Sequence, residues 1–575
     1  MSEGERNPLL NNVGINDDHR SGSMTEVERH LETYKTFLGA LLADKILTSD
    51  EQEALQDMEQ DLGITPLMRE QALASLGWTL DDLEEAKEDG EHMEWGDIQM
   101  EFVEHKDHEM VFFRRPTLRQ YWRNGVLVRE RAEHKVAWSE LLYDLVFVSC
   151  IATLAESLEE GFSFFVFPIF LCIYQNWQLF TVYLNLFGTT DVVHKLYFAV
   201  MMILLGGVAA NIDNVFVASE EYEATGEAPH ACYWRFALAH MLCRTWIFLI
   251  NVWAVLVYNV GTPESHYLRN YLRIWLITNI IPAYIVSVLP FVCSMFFSRP
   301  LIIIILWTVG PLLDSFASFC GVIFLRSFQT RILDALGWEH NGNLYFIAFS
   351  IEHVAERTGL FVIIVLGEGI NALVFADDCE NEFWQYCVSA MVLLIIFSLE
   401  WMYFDINDSV RTHAFRRSAF TAVLWRYSHV FYNLGLVVMS AGLALLMHAI
   451  AAKTEYDDSG SDGEHHATPA RAFWYTCGGV ACVLLFSTII HASHLGKFSG
   501  HVFPKWIRLG ARLVVIPGLL ALPFLGSDWE SHETRTIAVI FGVVSCLNIL
   551  DHIKGRPVLK RFRPSASARG MAKSH

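Results

Sequence analysis

Trp138-Ser139-Glu140-Leu141-Leu142-Tyr143-Asp144-Leu145-Val146-Phe147-Val148 opens the first long apolar run of the chain. Its two carboxylates decide how the remainder is read. From here to Asp551 apolar runs alternate with short polar loops twelve times. A helix crossing the hydrocarbon core of a bilayer needs about 20 apolar residues. The spacing predicts spans near 139–158, 163–187, 196–218, 232–258, 271–297, 300–325, 344–374, 384–406, 419–452, 471–495, 503–525 and 534–551. The expected fold class is all-α, a polytopic membrane helix bundle of about 12 transmembrane helices. A mean hydropathy of +0.30 and an aromatic content of 13% over 575 residues fit that class.

Basic residues give the topology independently of hydropathy. Counting outward from the loop 114–135, 26 Lys and Arg fall in alternate loops and the tail, against Arg299, Lys453, Arg471 and Arg535 on the other side. The positive-inside bias predicts that both termini are cytoplasmic. The formal charge of −22 is concentrated at the N-terminus, where residues 1–110 hold 28 Asp or Glu and eight Lys or Arg. The membrane part is nearly neutral, so no nucleic-acid partner is expected; the expected partner is the lipid bilayer.

The same reading divides the chain. Residues 1–24 form a disordered N-terminus, 25–110 an acidic helical cytoplasmic domain and 111–138 a basic juxtamembrane segment suited to an anionic leaflet. Residues 139–330 and 331–551 are the two transmembrane halves, and 552–575 a basic cytoplasmic tail. No cleavable signal peptide is expected, because the first apolar run begins only at Trp138. Glu5-Arg6-Asn7-Pro8-Leu9-Leu10 resembles an acidic dileucine sorting signal, with Glu5, Leu9 and Leu10 as its determinants. It points to sorting adaptors as partners and to an endosomal, lysosomal or vacuolar membrane, with the plasma membrane as the alternative.

Glu140 and Asp144 are four residues apart, so both project from one helical face. They are a candidate proton site, with an interfacial helix start as the bland reading of Glu140. Isolated charge in lipid is costly, so Asp144 needs a partner. The seventh span carries His353-Val354-Ala355-Glu356-Arg357-Thr358-Gly359-Leu360-Phe361-Val362-Ile363-Ile364-Val365-Leu366-Gly367-Glu368-Gly369. Arg357 and Glu368 share a face but lie roughly 16 Å apart along the axis and cannot pair there. Gly359 and Gly367, eight apart, make a smooth stripe for helix packing. Glu356 or Arg357 is expected to meet the carboxylates of the first span, and a purely structural ion pair is the rival reading.

These two blocks, Glu-x-x-x-Asp-Leu-Val-Phe-Val and His-x-x-Glu-Arg-x-Gly-Leu-Phe-x-Ile-Ile-x-Leu-Gly-Glu, resemble the low temperature requirement A (LtrA) family of polytopic membrane proteins over roughly 134–550. The resemblance marks Glu140, Asp144, Glu356, Arg357, Gly359, Gly367 and Glu368. Thr358 departs from the usual aromatic, and Asn176-Trp177 is less Trp-rich than the family's second-span block. The family implies a multipass protein linked by name to growth in the cold, without an agreed activity.

Glu140 in the first span is followed by Trp177–Tyr183, and Glu356 in the seventh by Trp401–Tyr403 and Asp405. Six spans separate the copies, so two 6-helix parallel repeats are expected, an arrangement found in some transporters. Asp314 follows Gly310-Pro311, and Pro282 and Pro290 interrupt the fifth span, where freed carbonyls can line a cavity. Glu400, Asp405 and His429 complete the intramembrane polar set, with His429 read as a hydrogen-bonded core histidine. No metal-ligand spacing and no nucleotide, haem or flavin motif is present, so no cofactor is expected. The leading expectation is a transporter or ion-conducting protein whose carboxylate–arginine cluster binds a proton or small ion. An intramembrane lipid-modifying enzyme and a non-catalytic scaffold or sensor are the alternatives; no catalytic residues are identified, and the balance is against an enzyme.

Overall fold

The computed structural model describes part of residues 30–76 and then residues 100–103, 112–113, 115–124, 126–130, 136–187, 191–226, 230–258, 265–338, 345–374, 382–404, 413–459, 470–494, 503–524 and 532–553. Glu5, Leu9, Leu10, Asp405 and the tail beyond 553 lie outside the described residues. The chain divides into two compact units, Met1–Asp97 and Ile98–His575.

In the smaller unit, Tyr34, Leu38, Leu55, Ala72 and Leu73 make a small core. Helix α1 (Pro66–Leu76) starts with proline, whose missing N–H costs nothing in the first turn. The Thr65 hydroxyl accepts from the Met68 N–H at 3.4 Å. Glu59 joins the pieces, paired with Arg69 and bonded by the Tyr34 hydroxyl.

The larger unit is a helical membrane assembly. Its helices are α2 (Trp138–Glu160), α3 (Val166–Leu186), α4 (Val192–Ala209), α5 (Ile212–Thr225), α6 (His230–Val257) and α7 (Ser265–Trp275). A π-helical turn (Leu276–Ile280) leads to α8 (Ile281–Ser294), and α9 (Pro300–Leu336), α10 (Ile351–Val374) and α11 (Glu382–Phe404) follow. The last are α12 (Ala414–Arg417), α13 (Ala419–Ser459), α14 (Ala470–Ser493), α15 (Lys505–Ala521) and α16 (His532–His552). Among the described residues, ten stretches are long and apolar enough to cross a membrane: α2, α4 with α5, α6, α7 through α8, α9, α11, α13, α14, α15 and α16. The chain is an integral membrane protein of all-α class. Helices α3 and α10, two of the twelve expected spans, are long enough but are not among the ten. They carry the polar chemistry, with Gln175, Asn176 and Asn185 on one and Glu352, Arg357 and Glu368 on the other.

A small sheet departs from the all-α expectation. Strands β1 (Met100–Val103), β2 (Gln120–Arg123), β3 (Val126–Glu130) and β4 (Tyr345–Ile347) pair in the order β1-β3-β2-β4. Residues 111–138, expected to lie along a leaflet as a basic segment, thus contain a hairpin. Gln-Tyr-Trp-Arg and Val-Leu-Val-Arg-Glu are rich in β-forming residues, and Asn124-Gly125 between them is a hairpin signal. Asn124 takes a φ of 50°. The start of the expected seventh span, Tyr345–Ile347, is also strand, because β2 satisfies its backbone. The sheet thus brings the segment before α2 beside the segment before α10.

The neighbours of the first and last helices follow one pattern. In the first set α2 packs on α4, α4 on α6, α6 on α8, α8 on α9, and α9 returns to α3. In the second α10 packs on α13, α13 on α14, α14 on α15, α15 on α16, and α16 returns to α11. The sets meet where α2 and α3 touch α10 and α13. Close approach is built from glycine at α13/α14, where a Cβ on Gly442 would stand 2.4 Å from the Thr476 backbone nitrogen and one on Gly479 2.6 Å from that of Met439. In the expected Gly359/Gly367 stripe only Gly359 is used this way. A Cβ there would stand 2.9 Å from the Phe404 ring, whereas Gly367 has open space.

Candidate functional site

Helices α2 and α10 enter the assembly side by side, and their first two turns deliver opposite charges to one buried point. Arg357 donates from Nη1 to Asp144 Oδ2 at 2.7 Å and from Nη2 to Asp144 Oδ1 at 2.9 Å. This is the two-pronged geometry that suits a planar guanidinium and a carboxylate. Arg357 is 0% exposed and Asp144 2%. The Trp177 indole N–H donates to Asp144 Oδ1 at 3.1 Å, and the guanidinium carbon stands 5.9 Å from the same ring's centroid. Arg357 Nε is 3.8 Å from Glu140 Oε2. A neighbouring pair of carboxylates thus shares one arginine.

Glu140 has a second partner. His353 Nε2 lies 3.1 Å from Glu140 Oε2, and the proton on that ring is fixed from the far side. The Ser350 N–H donates to Asn185 Oδ1 at 3.0 Å, which sets the Asn185 amide and turns its Nδ2 donor toward the Ser350 carbonyl at 2.9 Å and His353 Nδ1 at 3.2 Å. A donor facing Nδ1 requires an acceptor there, so the histidine carries its proton on Nε2 and gives it to Glu140. The chain continues outward, with Ser350 Oγ donating to Glu352 at 3.0 Å and Arg129 of β3 lying 3.6 Å from the same carboxylate. The small sheet is therefore tied to the intramembrane cluster by a continuous line of polar contacts. A Trp177→Phe change removes the indole donor and empties part of the space of a buried ring. It is expected to lower stability in detergent by about 2–3 kcal/mol, measured as a fall in the thermal unfolding midpoint of the purified protein.

Other expected site residues lie elsewhere. Glu356 is exposed on the outer side of α10, so of the two residues expected to meet the carboxylates of α2 it is Arg357 that does. Glu368 is three turns further along α10 and bonds Asn371 at 3.3 Å, its charge near Glu156. Glu400 is half-buried on α11. His429 is a satisfied core histidine, giving its Nδ1 proton to the Trp425 carbonyl at 2.7 Å and accepting from the Tyr403 hydroxyl at 3.0 Å.

Asp314 belongs to a second buried centre. Gln175 Nε2 donates to its Oδ2 and Arg244 Nη2 to its Oδ1, both at 2.9 Å. Beside this pair a cavity of about 50 Å³ is lined by Arg244 and Asn251 of α6, Tyr284 of α8, and Asp314 and Ser318 of α9, with apolar walls from α3, α6 and α8. Pro282 lacks the N–H that would bond the Thr278 carbonyl, and the helix passes through the π-turn just before it. Gly321 of α9 packs against that carbonyl, where a Cβ would stand 2.6 Å away. A third centre joins Arg512 of α15 to Asp551 of α16 at 2.5 Å and to Ser487 of α14 at 3.1 Å. Arg244, Arg512 and Asp551 received no role from the sequence. An arginine within an apolar span was the available signal for the first.

Residues 135–543 match the family described as bacterial low temperature requirement A protein (LtrA). The chain belongs to the LtrA family. No curated protein and no solved structure matches it. The match in this LtrA-family chain takes in all three buried centres except Asp551, and includes both helices, α2 and α10, that supply the first.

Proposed function

We propose that this LtrA-family protein is a transporter or ion-conducting protein for a proton or small ion. The observation that carries the reading is the cavity at Arg244 and Asp314, a charged, partly open space deep among helices and beside an interrupted one. A helix bundle serving only as a support has no need of a charged space at that position, and broken helices at a binding site are a transporter feature. The Asp144–Arg357 pair then acts as the latch between the two sets of helices rather than as the site itself.

Twelve spans follow if α3 and α10 cross the bilayer shielded by their neighbours, and both termini are then cytoplasmic. The repeated neighbour pattern supports two parallel halves. So does a matched pair of contacts, Tyr183 to His194 at 2.8 Å and Tyr403 to His429 at 3.0 Å, each linking the second span of a half to the third. Residence in an endosomal, lysosomal or vacuolar membrane, through adaptors that read Glu5, Leu9 and Leu10, belongs to the same proposal.

A scaffold or sensor is the second reading, favoured by the two-pronged pairing of Asp144 with Arg357 across the two sets of helices. Flux separates the two. The full chain in liposomes should pass protons or small ions above the level of empty vesicles, and Asp314→Asn should change that flux by roughly tenfold, the effect of ~1.4 kcal/mol. Correctly folded protein with no flux above empty vesicles would leave the scaffold reading standing.

A further inference from the structure

We propose that the Arg244–Asp314 cavity binds a small monovalent anion together with a proton. The proposal rests on the transport reading and names the substrate class of that site. Among the charged groups at the cavity, Arg244 has a donor to spare. Both oxygens of Asp314 already accept bonds, from Gln175 and Arg244. Arg244 uses Nη2 for Asp314, while its Nε–H is buried without a partner in a residue only 5% exposed. The Asn251 amide donates to the Ile247 carbonyl at 2.8 Å. The Thr245 hydroxyl donates to the Met241 carbonyl at 2.8 Å, so at 2.9 Å it accepts from Tyr284. Unused donors on a guanidinium recognise an anion, and a cation entering the same cavity would meet the Arg244 charge. A cavity of about 50 Å³ holds a small ion with a few waters, since one water needs about 10–15 Å³.

Charge balance supplies the proton. Empty, the site holds one guanidinium and one carboxylate and is neutral. An anion arriving alone leaves a net charge in a medium of low polarity, which is costly. If a proton binds Asp314 as the anion binds Arg244, one positive and one negative charge enter and the site stays neutral. The released Arg244 donors then hold the anion. Around the pair, the other charged or titratable groups are His240 and Cys243 on α6, Cys172 on α3 and Tyr284 on α8. Among the described groups here no second carboxylate competes for that proton.

The test uses the full chain in detergent, with sodium chloride against sodium gluconate at equal ionic strength. Ligand binding to the folded state raises the unfolding midpoint. Chloride is expected to raise it more than gluconate, with a larger difference at pH 5 than at pH 8. Asp314→Asn, neutral at every pH, should keep the chloride effect and lose its pH dependence. Arg244→Gln should abolish the chloride effect. Should that variant fail to fold, Ser318→Leu, which fills the cavity and leaves the ion pair in place, should abolish it instead. Equal shifts in chloride and gluconate, or a chloride effect untouched by Ser318→Leu, would overturn the proposal. Chloride stabilisation without flux in liposomes would keep the site and remove transport; flux with no chloride effect would do the reverse.

Discussion

Arg357→Gln is expected to be the most damaging single charge change in the assembly, and more damaging than Asp144→Asn. Removing one partner of a buried ion pair costs about 3–5 kcal/mol, because the other charge stays buried without compensation. Arg357 serves two carboxylates, Asp144 through two hydrogen bonds and Glu140 at 3.8 Å. Its loss leaves both carboxylates a turn apart inside the bundle, with Trp177 still bonded to Asp144, His353 to Glu140, and the Arg119 charge near Glu140. Asp144→Asn is milder, because the guanidinium keeps Glu140 nearby and the new amide oxygen can still accept. Thermal unfolding of the three purified proteins in one detergent gives the ranking. A double variant, Asp144→Leu with Arg357→Met, should recover part of the loss, since the apolar pair removes the Asp144 charge while Glu140 loses its Arg357 contact and keeps that with His353. If Asp144→Asn proved the worse of the single changes, the shared role of Arg357 would be wrong.

Gly442→Leu is expected to prevent α13 and α14 from docking. A Cβ at 2.4 Å from the Thr476 backbone nitrogen and 2.8 Å from the Tyr475 Cβ meets groups that cannot rotate away. Ordinary overpacking costs about 1–3 kcal/mol, and contact with backbone lies above that range. Transmembrane helices pack through such small residues because lipid gives no hydrophobic drive to associate. Gly478→Leu, one residue from Gly479 but facing open space, is the control and should be close to neutral. The readout is the yield of monodisperse protein on size exclusion; equal yields for the two variants would contradict the close approach of α13 and α14.

Much of the assembly was legible in the order of residues. Apolar runs of the right length marked ten of the spans, and the Glu140-to-Asp144 spacing together with Arg357 anticipated a meeting of charges across 213 residues. Both follow from local rules: bilayer thickness sets the length of a run, and buried charge demands a partner. His353 was harder to read, because a histidine's role depends on which ring nitrogen holds the proton. Asn185, 168 residues away, decides that here. Glu356 beside Arg357 was equally eligible by composition, and only the rotation of α10 turned one inward and the other out. The strands within residues 111–138 went unread for a related reason. Their positive charge suggested a leaflet, while β2 and β3 depend on backbone partners, among them β4, that local charge does not reveal.

The sequence by itself determined that this chain is a membrane protein of many helices with charge it must pair internally, because hydropathy and the cost of buried charge act residue by residue. Only the tertiary structure decided which charges meet, that Asp314 answers Arg244 beside a cavity, and that Gly442 and Gly479 rather than Gly367 carry the closest helix contacts. Those outcomes depend on helix rotation and neighbour order, which arise when the whole assembly packs and are not encoded in any single stretch.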